Sequence, residues 1–364
     1  MKKIMTLIGI RPDIIRMSSV IKKLDQHFDH KVVWSGQHYD DALFKNFFEE
    51  FGLRTPDFNL NCGVSARDHF DQLINGWRAL NSFCSSFKPD AIIFLGDSNT
   101  VLFSIPLKKN GHKIVHIEAG MRSGDRMMME EINRTCCDNV ADIFFTYHHN
   151  YSLNLIREGK NRDNIFNVGN TIVEPCLEVV RNNGLKKIQP TRDFVLLDIH
   201  RNENITNRRR LKKILDFASY VGHGCNLPVF MLGFNRTLKL IKEFEIKQHD
   251  NISVIPLKSF VDHTIAEYNA YCIISDSGTD QEQAALLKTP VIVPRDYTER
   301  PESVDSGCSY MLTSVTNFFF WKDAIRWLKE YYMNVPVHNY GQMTRWLGDG
   351  NTSNNIVQKL KDII

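Results

Sequence analysis

The 364 residues carry 45 Lys and Arg against 42 Asp and Glu, a formal net charge of +3. An excess this small, with its basic residues scattered, argues against nucleic acid as a partner. With 43% hydrophobic and 24% charged residues the composition is globular, the length suits roughly two domains of about 150 residues, and no apolar run approaches the ~18 residues of a membrane span.

In chain order, residues 4–9 form a short apolar strand. It runs directly into Arg11-Pro12-Asp13 with no small-residue cleavage site, so it reads as a buried first strand rather than a signal peptide. A helix over 14–24, a strand over 31–35 and a helix over 41–51 follow. Next come a long amphipathic helix over 68–87, a strand over 91–95, a helix over 98–109, a strand over 114–118, a helix over 130–142 and a strand over 143–146. The rhythm loosens over 169–190, with a basic, polar stretch at 181–189. It resumes with strands at 194–197, 229–232, 252–255, 272–275 and 291–293 and helices at 208–220 and 280–287, and a capped helix over 353–364 ends the chain. Continuous apolar strands between helices predict an α/β protein with doubly wound parallel sheets covered on both faces. A domain boundary is expected between 171 and 190.

In open parallel sheets, ligands bind beyond the carboxyl ends of the strands. After the first strand, Gly9 permits a turn, Pro12 suits a first helical turn, and Arg11 stands at a helix start, where phosphate is favoured. A plain surface turn explains the same residues. Asp97, after the strand over 91–95, is either a helix N-cap or a catalytic carboxylate. His116 and Glu118 share one strand face, and Glu118 is either an active-site acid or a partner of Arg122 or Arg126. Glu130 opens a helix, where it favours the dipole and can pair with Arg134. His200 and Arg201, after the first strand of the second half, can contact an anion or transfer protons, whereas His149 and His223 read as ordinary histidines. Ser275-Asp276-Ser277-Gly278 between a strand and a helix is either a capped turn or a phosphate cradle of backbone N–H groups. The charged segment Thr298-Glu299-Arg300-Pro301-Glu302 follows the strand over 291–293. There is no Walker motif and no G-x-G-x-x-G, which leaves a nicotinamide cofactor unsupported. The eight cysteines contain no C-x-x-C pair and read as reduced, buried thiols of a cytoplasmic protein, not as zinc ligands.

Taken in order, these segments resemble the UDP-N-acetylglucosamine 2-epimerase family. The matching pieces are Gly9-Ile10-Arg11-Pro12, Ser35-Gly36-Gln37-His38, Gly96-Asp97, His116-Ile117-Glu118-Ala119-Gly120-Met121-Arg122, Glu130-Glu131-Ile132-Asn133-Arg134, Gly169-Asn170-Thr171, His200-Arg201, Ser275-Asp276-Ser277-Gly278, Glu299-Arg300-Pro301-Glu302 and Gly348-Asp349-Gly350. The resemblance spans essentially the whole chain.

It implies a glycosyltransferase-B-like fold of two Rossmann-like domains with the active site in the cleft between them. Residues 1–172 would carry the catalytic carboxylates, 190–340 would bind UDP, and the helix within 341–364 would cross back to the first domain. It implies catalytic roles for Asp97, Glu118, Glu130 and His200. It implies substrate or UDP contacts for Arg11, Gln37, His38, Arg122, Arg134, Asn170, Arg201, Ser277, Gly278, Thr279, Glu282, Gln283 and Arg300. No cofactor, metal, nucleic acid or membrane is implied; the partner is a UDP-sugar, and such enzymes are usually homodimers. The reaction eliminates UDP to a 2-acetamidoglycal, then re-adds it with carbon 2 reprotonated on the other face.

Within the family, Arg11 to Arg16, Gly36 to Asp40, Phe47 to Arg54 and the short Gly124-Asp125-Arg126 link look closest to enzymes acting on UDP-2-acetamido-2,6-dideoxy-L-hexoses. The chain departs from the family pattern at Arg16, where lysine is usual, at Asp40, at Met129, at Phe234-Asn235 and at Gln283, where a ribose-holding glutamate is usual. A UDP-N-acetylglucosamine 2-epimerase, hydrolysing or not, and a glycosyltransferase or non-catalytic nucleotide-sugar binder are the alternatives.

Overall fold

The computed structural model of the protein describes residues 1–36, 48–64, 66–185, 190–334 and 340–364. The chain divides into two compact units, Met1–Pro175 together with Leu347–Ile364, and Cys176–Trp346.

The first unit holds seven strands: β1 (Lys3–Ile8), β2 (Asp29–Trp34), β3 (Phe58–Asn59), β4 (Ala91–Leu95), β5 (Ile114–Ile117), β6 (Ile143–Thr146) and β7 (Ile165–Asn167). They pair in parallel in the order β3-β2-β1-β4-β5-β6-β7. The register sets Leu7 beside Val33 on one side and Phe94 on the other. Because β4, β5 and β6 are buried at every position, their sequences are unbroken apolar runs. One core gathers Met5, Leu7, Val33, Leu80, Phe94, Leu107 and Cys137. Asp68 starts the helix His69–Phe87 by accepting from Phe70 N (2.9 Å) and Asp71 N (2.8 Å).

The second unit repeats the plan with β8 (Val195–Asp198), β9 (Val229–Leu232), β10 (Ile252–Ile255), β11 (Cys272–Ser275), β12 (Val291–Val293) and β13 (Ser309–Met311). All pairings are parallel, in the order β10-β9-β8-β11-β12-β13. Its core joins Val195, Leu197, Phe217, Ile274 and Trp321. In each unit the strand order reverses once, between β1 and β4 and between β8 and β11. The loops leaving those strands therefore open a crevice at the switch point. They are Gly9-Ile10 and Gly96-Asp97 in the first unit, and Ile199-His200-Arg201 and Asp276-Ser277 in the second.

Several elements differ from the sequence reading. Residues 98–109 are a 3-10 turn over Asn99–Phe103 followed by the α-helix Ser104–Lys109. The Asn99 side chain bonds Asn133 and Gln72 rather than capping a helix. A helix, Val173–Asn182, occupies part of the stretch where the rhythm seems to loosen. Pro175 lies in the first turn of this helix, where its missing N–H costs no hydrogen bond. Edge strands β3, β7 and β13 are too short for periodicity to reveal. Most of the helix expected over 41–51 lies outside the described residues. All eight cysteines are free thiols, six of them buried. No helix of the described residues is long and apolar enough to cross a membrane.

The last helix, Thr352–Ile363, buries Ile356, Val357 and Leu360 and packs against the helix Arg11–His27 within the first unit. Its approach is guided by two glycines. Gly348 has φ +90°, and a Cβ there would lie 2.8 Å from the Cα of Gly169, itself at φ +86°. Asn170 N donates to Leu347 O at 2.9 Å, and Glu174 accepts from Ser353 N and Oγ, each at 2.6 Å. Gly348→Ala should therefore cost the strain of a non-glycine residue at positive φ, about 1–3 kcal/mol, plus the clash. Gly111→Ala, at φ +85° with nothing within 4 Å of its Cβ, supplies the strain alone. Denaturant unfolding should show the Gly348 variant clearly less stable than the Gly111 variant; equal stabilities would mean the crossing is not tightly packed.

Candidate functional site

In the first unit the turn after β1 is held by Asp13. Its Oδ2 accepts from Gly9 N (2.9 Å) and Ile10 N (3.2 Å), closing the start of the helix Arg11–His27. Burial pushes this carboxyl up to about 7, helped by the charges of Asp97 and Glu118 and opposed by the two N–H groups. Arg11, in the first turn, is partly buried; burial lowers its pKa and Glu50 counters. Farther along the helix, Arg16 is buried, 3.8 Å from Glu118 Oε2 and bonded to Asn170 Oδ1 at 3.3 Å.

Glu118 follows β5 directly and has φ +68°, a left-handed conformation rare outside glycine. It is only 6% exposed. The expected pairing with Arg122 or Arg126 is replaced by Arg16, because Arg122 is taken by Asp138 (2.8 Å), Glu158 (2.6 Å) and the Met121 carbonyl. His116, expected to share a face with Glu118, is fully buried, with Nδ1 on Asp138 (2.7 Å) and Nε2 on the Gly96 carbonyl (2.8 Å). Burial opposes its charge, but Cys137 and Asp138 raise its pKa well above the ordinary value. It thereby ties the Gly96-Asp97 turn to the helix Met129–Val140.

Asp97 does not cap a helix. Its carboxylate pairs with Arg134, and its carbonyl accepts from Asn133 Nδ2 at 2.9 Å. Arg134 is 2% exposed and also binds Glu131 Oε2 at 2.9 Å, so Asp97 and Glu131 are both acidic partners of this guanidinium. Glu131 further accepts from Ser123 N and Oγ. Glu130, one residue earlier and partly exposed, lies about 100° away around the helix. Beside the switch point stand two polar clusters, Asp97 with Arg134 and Glu131, and Glu118 with Arg16 and Asn170, with Glu130 on the helix Met129–Val140. Gln37 and His38 lie outside the described residues.

In the second unit Asp276 is the anchor. It is fully buried and accepts from His200 N (3.1 Å), Arg201 N (3.1 Å) and Asn204 Nδ2 (2.8 Å), joining the loops after β8 and β11. Ser277 caps the helix Gly278–Leu287. Gly278 faces Arg300: a Cβ would lie 3.1–3.3 Å from the guanidinium. Arg300 is buried against Glu282 (2.8 Å) and Glu299 (3.3 Å), and Gln283 is buried with its amide on Thr264 (3.4 Å). Glu282, Gln283 and Arg300 are thus committed within the unit. Ser277, Thr279, His200 and Arg201 stay partly exposed around the helix start.

Sequence reasoning passed over Asp13, Arg16, Asp198, His263 and Glu267 as site residues. Asp198 Oδ1 meets His200 Nδ1 at 2.7 Å, and His263 lies 3.4 Å from Asp280 and 3.7 Å from the fully buried Glu267. The i,i+4 spacing of His263 and Glu267 was the one visible signal. Two triads, Asp198–His263–Asp280 and Asp198–His200–Asp276, hold their donor atoms within 4.8 Å, a spacing that would suit a cation. Their own imidazoles already supply positive charge. Burial disfavours it, but the acids prevail, raising His200 to about 9 and His263 to about 10.

Two Rossmann-like units, one with an acidic switch point and the other with a hydroxyl-and-imidazole one, define a protein of the glycosyltransferase-B-like class. Residues 22–361 match the family model described as UDP-N-acetylglucosamine 2-epimerase. The UDP-N-acetylglucosamine 2-epimerase of Methanocaldococcus jannaschii is 34% identical over 324 residues, covering 85% of this chain and 88% of its own. The crystal structure of the M. jannaschii enzyme in complex with UDP-GlcNAc and UDP matches with a TM-score of 0.85 at 32% identity over 99% of each chain. A UDP-2,3-diacetamido-2,3-dideoxy-D-glucuronate 2-epimerase of Pseudomonas aeruginosa is 29% identical over 316 residues, 85% of this chain and 88% of its own. The chain belongs to the UDP-N-acetylglucosamine 2-epimerase family and is an enzyme, an isomerase.

The raised pKa of Asp13 makes stability depend on pH. The folded state holds this proton up to about 7, whereas the unfolded chain releases it near 3.8. The contribution is therefore complete below 3.8 and lost as pH rises through 7. Asp13→Asn keeps an acceptor for Gly9 and Ile10 and has nothing to titrate. Its melting temperature relative to the parent should climb between pH 4 and pH 7; parallel curves would show that Asp13 ionises normally.

Proposed function

We propose that the protein inverts carbon 2 of a UDP-2-acetamido sugar by eliminating and re-adding UDP. A carboxylate takes the C2 proton while the C1–O bond to UDP breaks, giving the 2-acetamidoglycal and free UDP. UDP then re-attacks C1 as a proton is delivered to C2 on the opposite face. The observation that carries this reading is Glu118: a buried carboxylate in left-handed backbone at the switch point, held by Arg16 beside the Gly96-Asp97 turn. Strained non-glycine residues of this kind concentrate at functional sites. Asp97 and Glu130 are two further acids assigned to proton transfer on this reading. In the second unit the partly exposed His200, Arg201 and Ser277 surround the start of the helix Gly278–Leu287, where backbone N–H groups favour phosphate. Cations there stabilise the diphosphate as it leaves.

The relatives are named for different sugars, UDP-N-acetylglucosamine and a diacetamido-dideoxy-glucuronate, so substrate choice rests on local features. The short link from Arg122 to Glu130 supports a UDP-2-acetamido-2,6-dideoxy-L-hexose. It contains no aromatic residue, and Ser123 is drawn back onto Glu131. A pocket that offers no partner to a C6 hydroxyl discriminates against it by only about 100-fold, so residual turnover of UDP-N-acetylglucosamine is compatible.

Asp97→Asn, Glu118→Gln and Glu130→Gln should each fold and lose about 100-fold or more in turnover, the usual scale of general acid–base removal. Deuterium incorporation at C2 in heavy water, followed by NMR, reads this out; normal rates in all three would refute the site. Stoichiometric free UDP would identify a hydrolase instead.

Comparing kcat/KM for the two UDP-sugars tests the substrate. The 2,6-dideoxy-L-hexose is expected to be preferred, and a preference for UDP-N-acetylglucosamine would overturn that choice while leaving the epimerase reading intact.

A further inference from the structure

Asp198 ends β8, and its carboxylate is almost wholly buried, at 4% exposure. Its Oδ1 accepts the Nδ1 hydrogen of His200 at 2.7 Å. With Nδ1 used in this way, Nε2 is the ring nitrogen left for a ligand, and a third of the His200 side chain is exposed (33%). The imidazole is held from other directions as well. The backbone N–H groups of His200 and Arg201 are pinned to Asp276, and the Phe234 ring lies 4.7 Å from the imidazole centroid.

We propose that Asp198 is a positioning residue that acts through His200, fixing its Nδ1–H and holding the ring as a cation whose Nε2–H is presented to the diphosphate of a UDP-sugar. This rests on reading the second unit as the nucleotide site. A neutral imidazole protonated at Nδ1 would offer Nε2 as an acceptor, which repels phosphate oxygens. Only the doubly protonated ring donates from both nitrogens. Asp198 is the group that makes that state favourable, because it is both the hydrogen-bond acceptor and the nearest negative charge. Asp276, 3.6 Å from Nδ1, adds to the effect.

The charges facing His200 can be named from each neighbouring element. Asp198 and Asp276 raise its pKa, while burial and Arg201 lower it. The pKa of Asp198 is itself raised, by burial and by Asp280 on the helix Gly278–Leu287, while His200 and His263 on the helix Phe260–Asn269 pull it down. Glu267, deeper on that second helix, has its pKa raised well above the ordinary value by burial, with His263 opposing. The balance leaves His200 titrating near 9 rather than 6.5. The cation therefore persists through neutral pH and is lost as pH rises through about 9.

Isothermal titration of UDP between pH 5.5 and pH 10 tests this. His200→Gln provides the baseline for titration of the UDP phosphate itself. Above that baseline, affinity of the parent protein should hold to about pH 8 and fall about tenfold or more through 9, as expected when a charge-assisted bond is lost. Asp198→Asn retains an oxygen acceptor, and so the tautomer, but removes the charge. Its fall should move to the ordinary histidine range near 6.5. It should bind like the parent at pH 5.5 and about tenfold more weakly at pH 7.5. An Asp198→Asn profile that coincides with the parent's would overturn the positioning role. If the parent binds no UDP at any pH, the nucleotide reading fails instead. Should the variant not fold, imidazole NMR of the parent decides: His200 titrating near 6.5 in the parent refutes the proposal, and near 9 with Nδ1 protonated supports it.

Discussion

Parallel strands buried on both faces admit few polar side chains along their length, and those only with a partner, as His116 has in Asp138, because an unpartnered polar group inside such a sheet is costly. Polar chemistry is displaced to the places where strands stop. In this chain each sheet reverses its strand order once, and the loops at that reversal collect the acids, imidazoles and arginines. The rest follows from having to neutralise so much charge at the edge of an apolar core. Asp13 is satisfied by backbone N–H groups, Asp97 and Glu131 by Arg134, Glu118 by Arg16, and Asp276 by the loop it organises.

The two units solve that problem differently. In the first, the compensating cations are arginines, which stay charged at any relevant pH. Arg16 and Arg134 are fixed counter-charges, so the acids around them keep a defined electrostatic environment. In the second unit Arg300 plays that part for Glu282 and Glu299, but the cations beside Asp198, Asp276 and Asp280 are histidines, raised by buried acids to about 9 and about 10. Their charge is conditional on the acids that create it. On the proposed reading, a proton-transfer centre in the first unit benefits from fixed surroundings, whereas a diphosphate in the second is served by a donor that is cationic at neutral pH. Imidazole meets that need only with a carboxylate behind it.

Much of the fold was legible because the hydrophobic runs are long and unbroken. β4, β8 and β11 are continuous apolar segments ending at a glycine or a polar residue, and the apolar run of β1 is interrupted only by Thr6. The elements that escaped are those whose signal is short or contradictory, such as the two- and three-residue edge strands and the helix that starts at Val173 with a proline in its first turn. Among the candidate site residues, Asp97, Glu118 and His200 were visible because each lies within two positions of a strand end. Their partners were not. The pairing of Glu118 with Arg16 spans about a hundred positions of sequence, and the pairing of Asp97 with Arg134 joins a loop to a later helix.

By itself the amino-acid sequence determined the class of fold, the positions of the strand ends and the kinds of residue placed there, because periodicity and turn chemistry are local properties of the chain. Tertiary structure alone decided which acids and bases meet, and hence their charge. Glu131 joins Asp97 on Arg134, Arg122 serves Asp138 and Glu158, and Gln283 turns onto Thr264. It also decided that Asp198 stands behind His200, an arrangement that depends on the side-chain conformation at the end of one strand. The physical reason is that Coulomb energy and desolvation depend on separations of a few ångströms and on exclusion of water. Neither quantity exists until the strands have been brought together.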